Sequence, residues 1–232
     1  MFEFTADEID AIRLSLWVAT IGMAASLPFG VLAAYALARW RFPGKLLLDG
    51  LVHLPLVLPP VVTGYILLVF MGRRGPIGSF LDQQFGIVFS FRWTGAALAA
   101  AVMGFPLLVR AIRLSFEATD RRLEDAARTL GANRVIVFAT VTLPLALPGI
   151  LAGMVLCWAK ALGEFGATIT FVSNIPGETR TLPAAIYTFT QIPGGDSGAM
   201  RLAIVAVALS LVALIISELL SRQIAWRVGG TT

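Results

Sequence analysis

The 232-residue chain has one cysteine, one histidine and a charged fraction of only 14%. Each scarcity excludes something. Cys157 has no partner for an internal disulfide or a cysteine-rich metal site, and its softness suits it to filling apolar space. His53 has no second histidine to complete a metal site, and no nucleophile, base and orienting group can be assembled around it. A phosphate-cradling G-x-x-x-x-G-K-[ST] loop is also missing, because Gly44-Lys45 lacks the upstream glycine and the following hydroxyl. No basic cluster with interleaved aromatics is present, which argues against a nucleic-acid partner. The first eleven residues hold Glu3, Asp7, Glu8 and Asp10 but no basic residue. They lack the n-region of a cleavable signal peptide, so the first apolar run is expected to stay in place.

What the chain does have is apolar length. Hydrophobic residues make up 57% of it, with a mean hydropathy of +0.83, beyond the usual balance of a soluble domain. About 20 apolar residues cross a bilayer as a helix, and five stretches come close: 14 to 38, 46 to 71, 94 to 112, 144 to 163 and 202 to 221. The expected fold is all-α, one polytopic membrane domain over residues 1–232 with five transmembrane helices and membrane lipid as its surroundings.

Basic residues near span ends stay cytoplasmic. With the N-terminus outside, the inner segments hold Arg39, Arg41, Lys45, Arg110, Arg113, Arg121, Arg122, Arg128, Arg134, Arg222 and Arg227. The outer segments hold Arg13, Arg73, Arg74, Arg92, Arg180 and Arg201, while Lys160 falls within the fourth span. Eleven against six favours N-out, C-in.

The second span contains Pro55, Pro59 and Pro60. Proline removes a backbone donor and kinks a helix, and carbonyls freed in lipid need partners in protein or a wet cavity, so this span is expected to face other helices. His53 beside the kink reads as a hydrogen-bonded packing residue or, as an intramembrane ionisable group, a functional one. In the first outer connection Phe85, Phe89, Phe91 and Trp93 suit the headgroup boundary. In the second, TLPAAIYTFTQI has the pattern of a short amphipathic helix.

The longest inner connection is polar and rich in arginine. Its segment LEDAARTLGANRVIVFATVTLP begins with strong helix formers, offers Gly131 and Asn133 as left-handed helix ends, and resumes an apolar run before Pro144. A short helix, a turn and a second helix leading into the fourth span are expected. An exposed helix carrying the small residues Ala126 and Ala127 is a docking element for a soluble partner, or an amphipathic helix lying on the membrane surface.

The segment resembles the EAA loop of ABC-importer permeases: Glu-Ala-Ala, three residues, Gly, nine residues, then Ile-x-Leu-Pro. The matching residues are Asp125, Ala126, Ala127, Gly131, Val141, Leu143 and Pro144, with Asp125 in place of the usual Glu and Val141 in place of Ile. Further stretches, HLPLVLPPVVTGYILLVFMGRRGPIG and LGEFGATITFVSNIPGETRTLPAAIYTFTQIPGG, are similar to the permease subunits of bacterial molybdate transporters, and the likeness runs from about Leu14 to Glu218. Sulfate and thiosulfate permeases share the frame less closely.

The resemblance implies a type I ABC-importer permease in a bacterial inner membrane, moving molybdate or tungstate inward by alternating access. It also implies a homodimer, two cytoplasmic ATPase subunits that bind ATP and magnesium, and a periplasmic molybdate-binding protein, with no cofactor in this chain. The coupling loop would span about residues 115–144, with the coupling helix at roughly 121–135 seated in a cleft on the ATPase; within it, our own expectation is that Asp125 and Arg128 contact the ATPase and Gly131 permits the turn. An ion-coupled carrier is the contrasting class, and the lack of an inverted repeat argues against it.

Lys160 and Glu164, four residues apart near the outer end of the fourth span, share a helix face. They form either an internal ion pair that fixes packing or an outer gate that attracts a dianion and tempers its binding. Thr168, Thr170, Ser173 and Asn174 follow as neutral donors for an oxyanion's oxygens, or as loop caps and turn formers.

Overall fold

The computed structural model describes residues 4–229, with side chains as far as Leu219. Glu3 and the side chains of Arg222 and Arg227, which entered the charge reading, lie outside the described residues. No strand occurs among the described residues. In chain order the helices are α1 (Ala6–Arg39), α2 (Lys45–Val57), α3 (Pro60–Met71), α4 (Pro76–Phe85), α5 (Trp93–Ala118), α6 (Arg121–Thr129), α7 (Arg134–Val137), α8 (Leu143–Leu162), α9 (Gly166–Val172), α10 (Leu182–Thr190) and α11 (Asp196–Gly229). A π-helical turn, Phe138–Thr142, joins α7 to α8 without a break.

Four helical stretches are long and apolar enough to cross a membrane: Ala6–Arg39, Trp93–Ala118, Arg134–Leu162 and Asp196–Leu219. The predicted second span is instead two short helices, α2 and α3, bent by 115°. Pro55 is tolerated inside α2, and the break falls at Leu58 and Pro59, with Pro60 opening α3. Chain connectivity makes this pair the fifth crossing. Arg39 at the end of α1 donates to the Thr119 carbonyl just beyond α5, so the two helices finish at the same end. Trp93 begins α5 at the other end, where its N–H reaches the Glu178 carboxylate. The segment between Arg39 and Trp93 must therefore run from one end to the other.

The core lies where α1, α5 and α8 meet, and small residues let them approach closely, as membrane helices require. Ala19, Ala96, Ala99 and Ala100 are fully buried. A Cβ on Gly22 would sit 2.8 Å from the Ala97 carbonyl, and one on Gly104 would sit 2.6 Å from the sulfur of Cys157. The thiol is thus the apolar filler that its isolation implied, with zero exposure. Phe116, Tyr35 and Phe138 close the arginine-rich end edge to face.

Within one chain the bent pair meets other helices along one side only, α3 packing on α9 and α2 on α5. Val52 alone is buried on α2, and Thr63 and Gly64 on α3. Leu46, Leu47, Leu51, Val57, Val61 and Tyr65 are all more than half exposed. Helix α3 packs on α9 through Gly64, whose missing Cβ would overlap the Ala167 carbonyl. His53 is hydrogen-bonded within α2, its Nδ1 lying 2.9 Å from the Asp49 carbonyl and 3.3 Å from the Asp49 carboxylate. Among the boundary aromatics, Phe85 and Phe91 are exposed while Phe89 packs against the core.

Candidate functional site

The polar connection folds as helix, turn, helix. Asp120 caps α6 by accepting the Arg122 N–H at 2.9 Å, placing a carboxylate at the positive end of the helix. Residues 115–118, expected at the start of the loop, still belong to α5. Gly131 takes the left-handed conformation, φ +88°, that ends the first helix. Asn133 does not share that role, because its side chain accepts the Ile136 N–H at 2.9 Å and caps α7 instead.

Asp125, Ala126, Arg128 and Gly131 are exposed and Ala127 is half-buried. Asp125 and Arg128 pair at 3.2 Å across one turn. Pro144 opens α8 and is exposed, while Leu143 and half-buried Val141 lead the chain into the bundle. Leu130 at 88% and Val135 at 75% exposure flank the turn. The loop thus presents a small-residue ridge edged by apolar side chains, a surface suited to burial by a complementary groove.

Underneath, a contact that the sequence reading missed fixes this surface to the bundle. Glu124 points inward with its side chain 7% exposed, 3.1 Å from the equally buried Arg39 guanidinium at the end of α1. The same carboxylate accepts the Thr142 hydroxyl at 3.1 Å from the π-helical turn, and Arg128 approaches its second oxygen at 3.9 Å. One carboxylate therefore joins α6, the first span and the root of the fourth. Reading Glu124 as an ordinary helix former hid this. The one available signal was an acid at the start of a short helix, four residues before an arginine.

At the other end, Glu164 lies just beyond α8, in the corner before α9. Lys160 reaches its carboxylate at 2.8 Å, and the other carboxylate oxygen accepts the Ala167 N–H at 2.9 Å. Glu164 is 1% exposed on its side chain and Lys160 31%. The pair forms as the spacing implied, and the acid also caps α9.

Thr168 and Thr170 sit on α9 and not in a loop, with hydroxyls bonded to the Phe165 and Gly166 carbonyls at 2.8 Å each. Those bonds occupy the donors that an oxyanion would need. Asn174 donates to the Thr188 hydroxyl at 2.7 Å and accepts from Arg180 at 3.0 Å. Exposed Ser173 adopts φ +67°, uncommon for a residue with a Cβ.

The family model for binding-protein-dependent transport system inner membrane components matches residues 26–226 of this chain. The chain belongs to that family. This inner-membrane component is 62% identical over 225 residues to the molybdenum transport system permease protein ModB of Escherichia coli strain K12, covering 97% of this chain and 98% of the relative. It is 58% identical to the ModB of Haemophilus influenzae, over 96% of this chain and 97% of that one. The sulfate transport system permease protein CysW of Synechococcus elongatus is 38% identical, over 92% of this chain and 74% of that one.

Two solved structures share the fold. A bacterial ABC transporter involved in the import of alginate superposes with a TM-score of 0.69 at 16% identity, over 95% of this chain and 80% of that one. The MetNI methionine ABC transporter does so at 0.65 and 14%, over 94% of each chain. This inner-membrane component is accordingly an all-helical, multi-pass protein with the ABC-importer permease fold.

Proposed function

We propose that this chain is the membrane-spanning subunit of an ATP-driven importer for molybdate, with tungstate as a close mimic. The observation that carries the reading is the 62% identity to a molybdenum permease across 97% of the chain, while the sulfate permease is more distant at 38%. Two copies of the chain form the pathway. The N-terminus faces outward, so the arginine-rich end is cytoplasmic.

On that inner side the α6 loop seats in a cleft of a separate ATPase subunit, which holds ATP and magnesium. Asp125, Ala126, Ala127, Arg128 and Gly131 form the contact, and Leu143 and Pro144 pass its movement into α8. A periplasmic binding protein delivers the anion outside. Lys160 and Glu164 stand at the outer gate, where a cation beside a partly neutralising acid attracts a dianion without trapping it. Ser173 and Asn174 lie in the loop beyond, and Thr168 and Thr170 stiffen α9 beneath it.

Labelled molybdate uptake by cells lacking the chain, and by cells with it restored, tests the substrate. Restored uptake suppressed by excess tungstate and untouched by excess sulfate is expected. Equal suppression by sulfate would replace molybdate with sulfate or thiosulfate as cargo.

A further inference from the structure

Arginines on the outer side run against the charge bias that orients membrane proteins, so each needs a reason to be there. Three of the six outer arginines, Arg73, Arg74 and Arg92, line one cleft of about 640 Å³. It lies between the end of α3, the turn into α4 and the turn before α5. Its remaining lining residues are uncharged, and Ser90 is the hydroxyl among them.

These guanidinium groups are only partly neutralised: the Glu178 carboxylate stands beside Arg92, accepting the Trp93 N–H at 3.4 Å, without pairing with the guanidinium. Arg73 meets Asp82 at 3.8 Å, the limit of an ion pair, with 67% of its side chain exposed. Arg74 and Arg92 have no carboxylate partner among the described residues. Ser90 is buried at 5% exposure, and its hydroxyl makes no hydrogen bond to another described residue.

The backbone holding them is tightly specified. A Cβ at Gly75 would overlap the Val69 carbonyl, so the Arg73-Arg74 turn folds onto the end of α3 as only glycine allows. Between Ser90 and Arg92, Phe91 is held at φ +59°, a strained value for a bulky residue that persists only where the surroundings enforce it.

Arginine's planar fork matches tetrahedral oxyanions through paired, charge-assisted hydrogen bonds, and clustered uncompensated cations raise the local concentration of a dianion. We propose that this cleft is an outer binding site for a tetrahedral oxyanion, separate from the Lys160–Glu164 pair. It rests on the import function and the N-out orientation proposed above. Two sources supply that chemistry: molybdate arriving for transport, and the phosphate of a lipid headgroup. The second is present because neighbouring α4 exposes Ile77, Phe80 and Phe85, side chains suited to the membrane boundary.

The test uses the whole transporter, purified with its ATPase subunits in an uncharged detergent. Equilibrium dialysis measures labelled molybdate bound without the binding protein, and native mass spectrometry measures retained phosphatidylglycerol. An Arg74→Gln/Arg92→Gln double variant is compared with Arg13→Gln, an outer arginine away from the cleft. Each lost arginine weakens oxyanion binding by about tenfold, and the Arg13 variant leaves it unchanged.

Loss of molybdate binding identifies the cargo as occupant; loss of phosphatidylglycerol alone identifies the headgroup. Neither loss, or weakened capture of the loaded binding protein with both ligands retained, overturns the proposal. ATP-dependent molybdate uptake by the wild-type chain is measured in parallel, so failure of the import reading shows there and not in the comparison of variants.

Discussion

Glu124→Gln is expected to loosen the attachment of α6 while leaving the bundle folded. The substitution keeps the size of the side chain and an acceptor for the Thr142 hydroxyl, but removes the charge 3.1 Å from Arg39. Both side chains are 7% exposed, and the Arg39 Nε is already buried without a partner. Removing one member of a buried pair costs about 3–5 kcal/mol, because the other charge is left uncompensated. The retained acceptor returns about 1 kcal/mol, leaving about 2–4 kcal/mol.

Helix α6 has nine residues and is too short to persist alone, so the loss falls on its attachment. At about 1.4 kcal/mol per tenfold, the detached population rises about 30- to 700-fold. Hydrogen exchange of the α6 amides reads this directly, and stimulation of the ATPase by loaded binding protein should fall with it. Combining it with Arg39→Met should cost less than the two single changes added together. Unchanged α6 exchange in Glu124→Gln would refute the anchoring argument.

Other consequences can be checked separately. Gly131→Val meets no neighbour, since a Cβ there would point into open space, but places a β-branched residue at φ +88°. It should cost about 1–3 kcal/mol of local strain and abolish coupled ATPase activity with the chain still in the membrane, whereas Gly131→Asn should retain most activity because asparagine tolerates that region. Normal uptake by the valine variant would remove the turn from the coupling mechanism. Glu164→Gln should change the transport rate while the assembled complex purifies normally; wild-type uptake would reduce the Lys160–Glu164 pair to a packing device. Gly64→Val should push α3 off the Ala167 backbone and lower the melting temperature of the purified complex, and an unaltered melting curve would show that the two helices need not touch.

Much of this was legible in the sequence because the bilayer imposes simple rules. Apolar length located the long spans, and proline located the break in the second. Which proline would break the helix was not legible: Pro55 lies inside α2 while Pro59 and Pro60 interrupt the helix, a distinction set by local backbone and not by composition. The polar segment around α6 and α7 was readable because its glycine, asparagine and proline each have a local backbone role, although Asn133 starts a helix where it was expected to end one. Long-range contacts stayed hidden. Arg39 and Glu124 are separated by 85 positions, and Glu8 meets Arg201 at 2.8 Å across 193; neither pair has a spacing to betray it. Thr168 and Thr170 seemed available for an oxyanion until the helix that engages their hydroxyls was seen.

The central claim is that the α6 loop links this membrane subunit to an ATP-consuming partner that drives molybdate inward. The most direct test reconstitutes the purified transporter into vesicles with molybdate-loaded binding protein on the side facing Glu8 and Arg201, and supplies ATP and a proton gradient independently. Molybdate accumulation that requires ATP, persists when the gradient is collapsed and is lost with Gly131→Val is the predicted result. Accumulation that follows the gradient in the absence of ATP would contradict the account and make the chain a carrier in its own right.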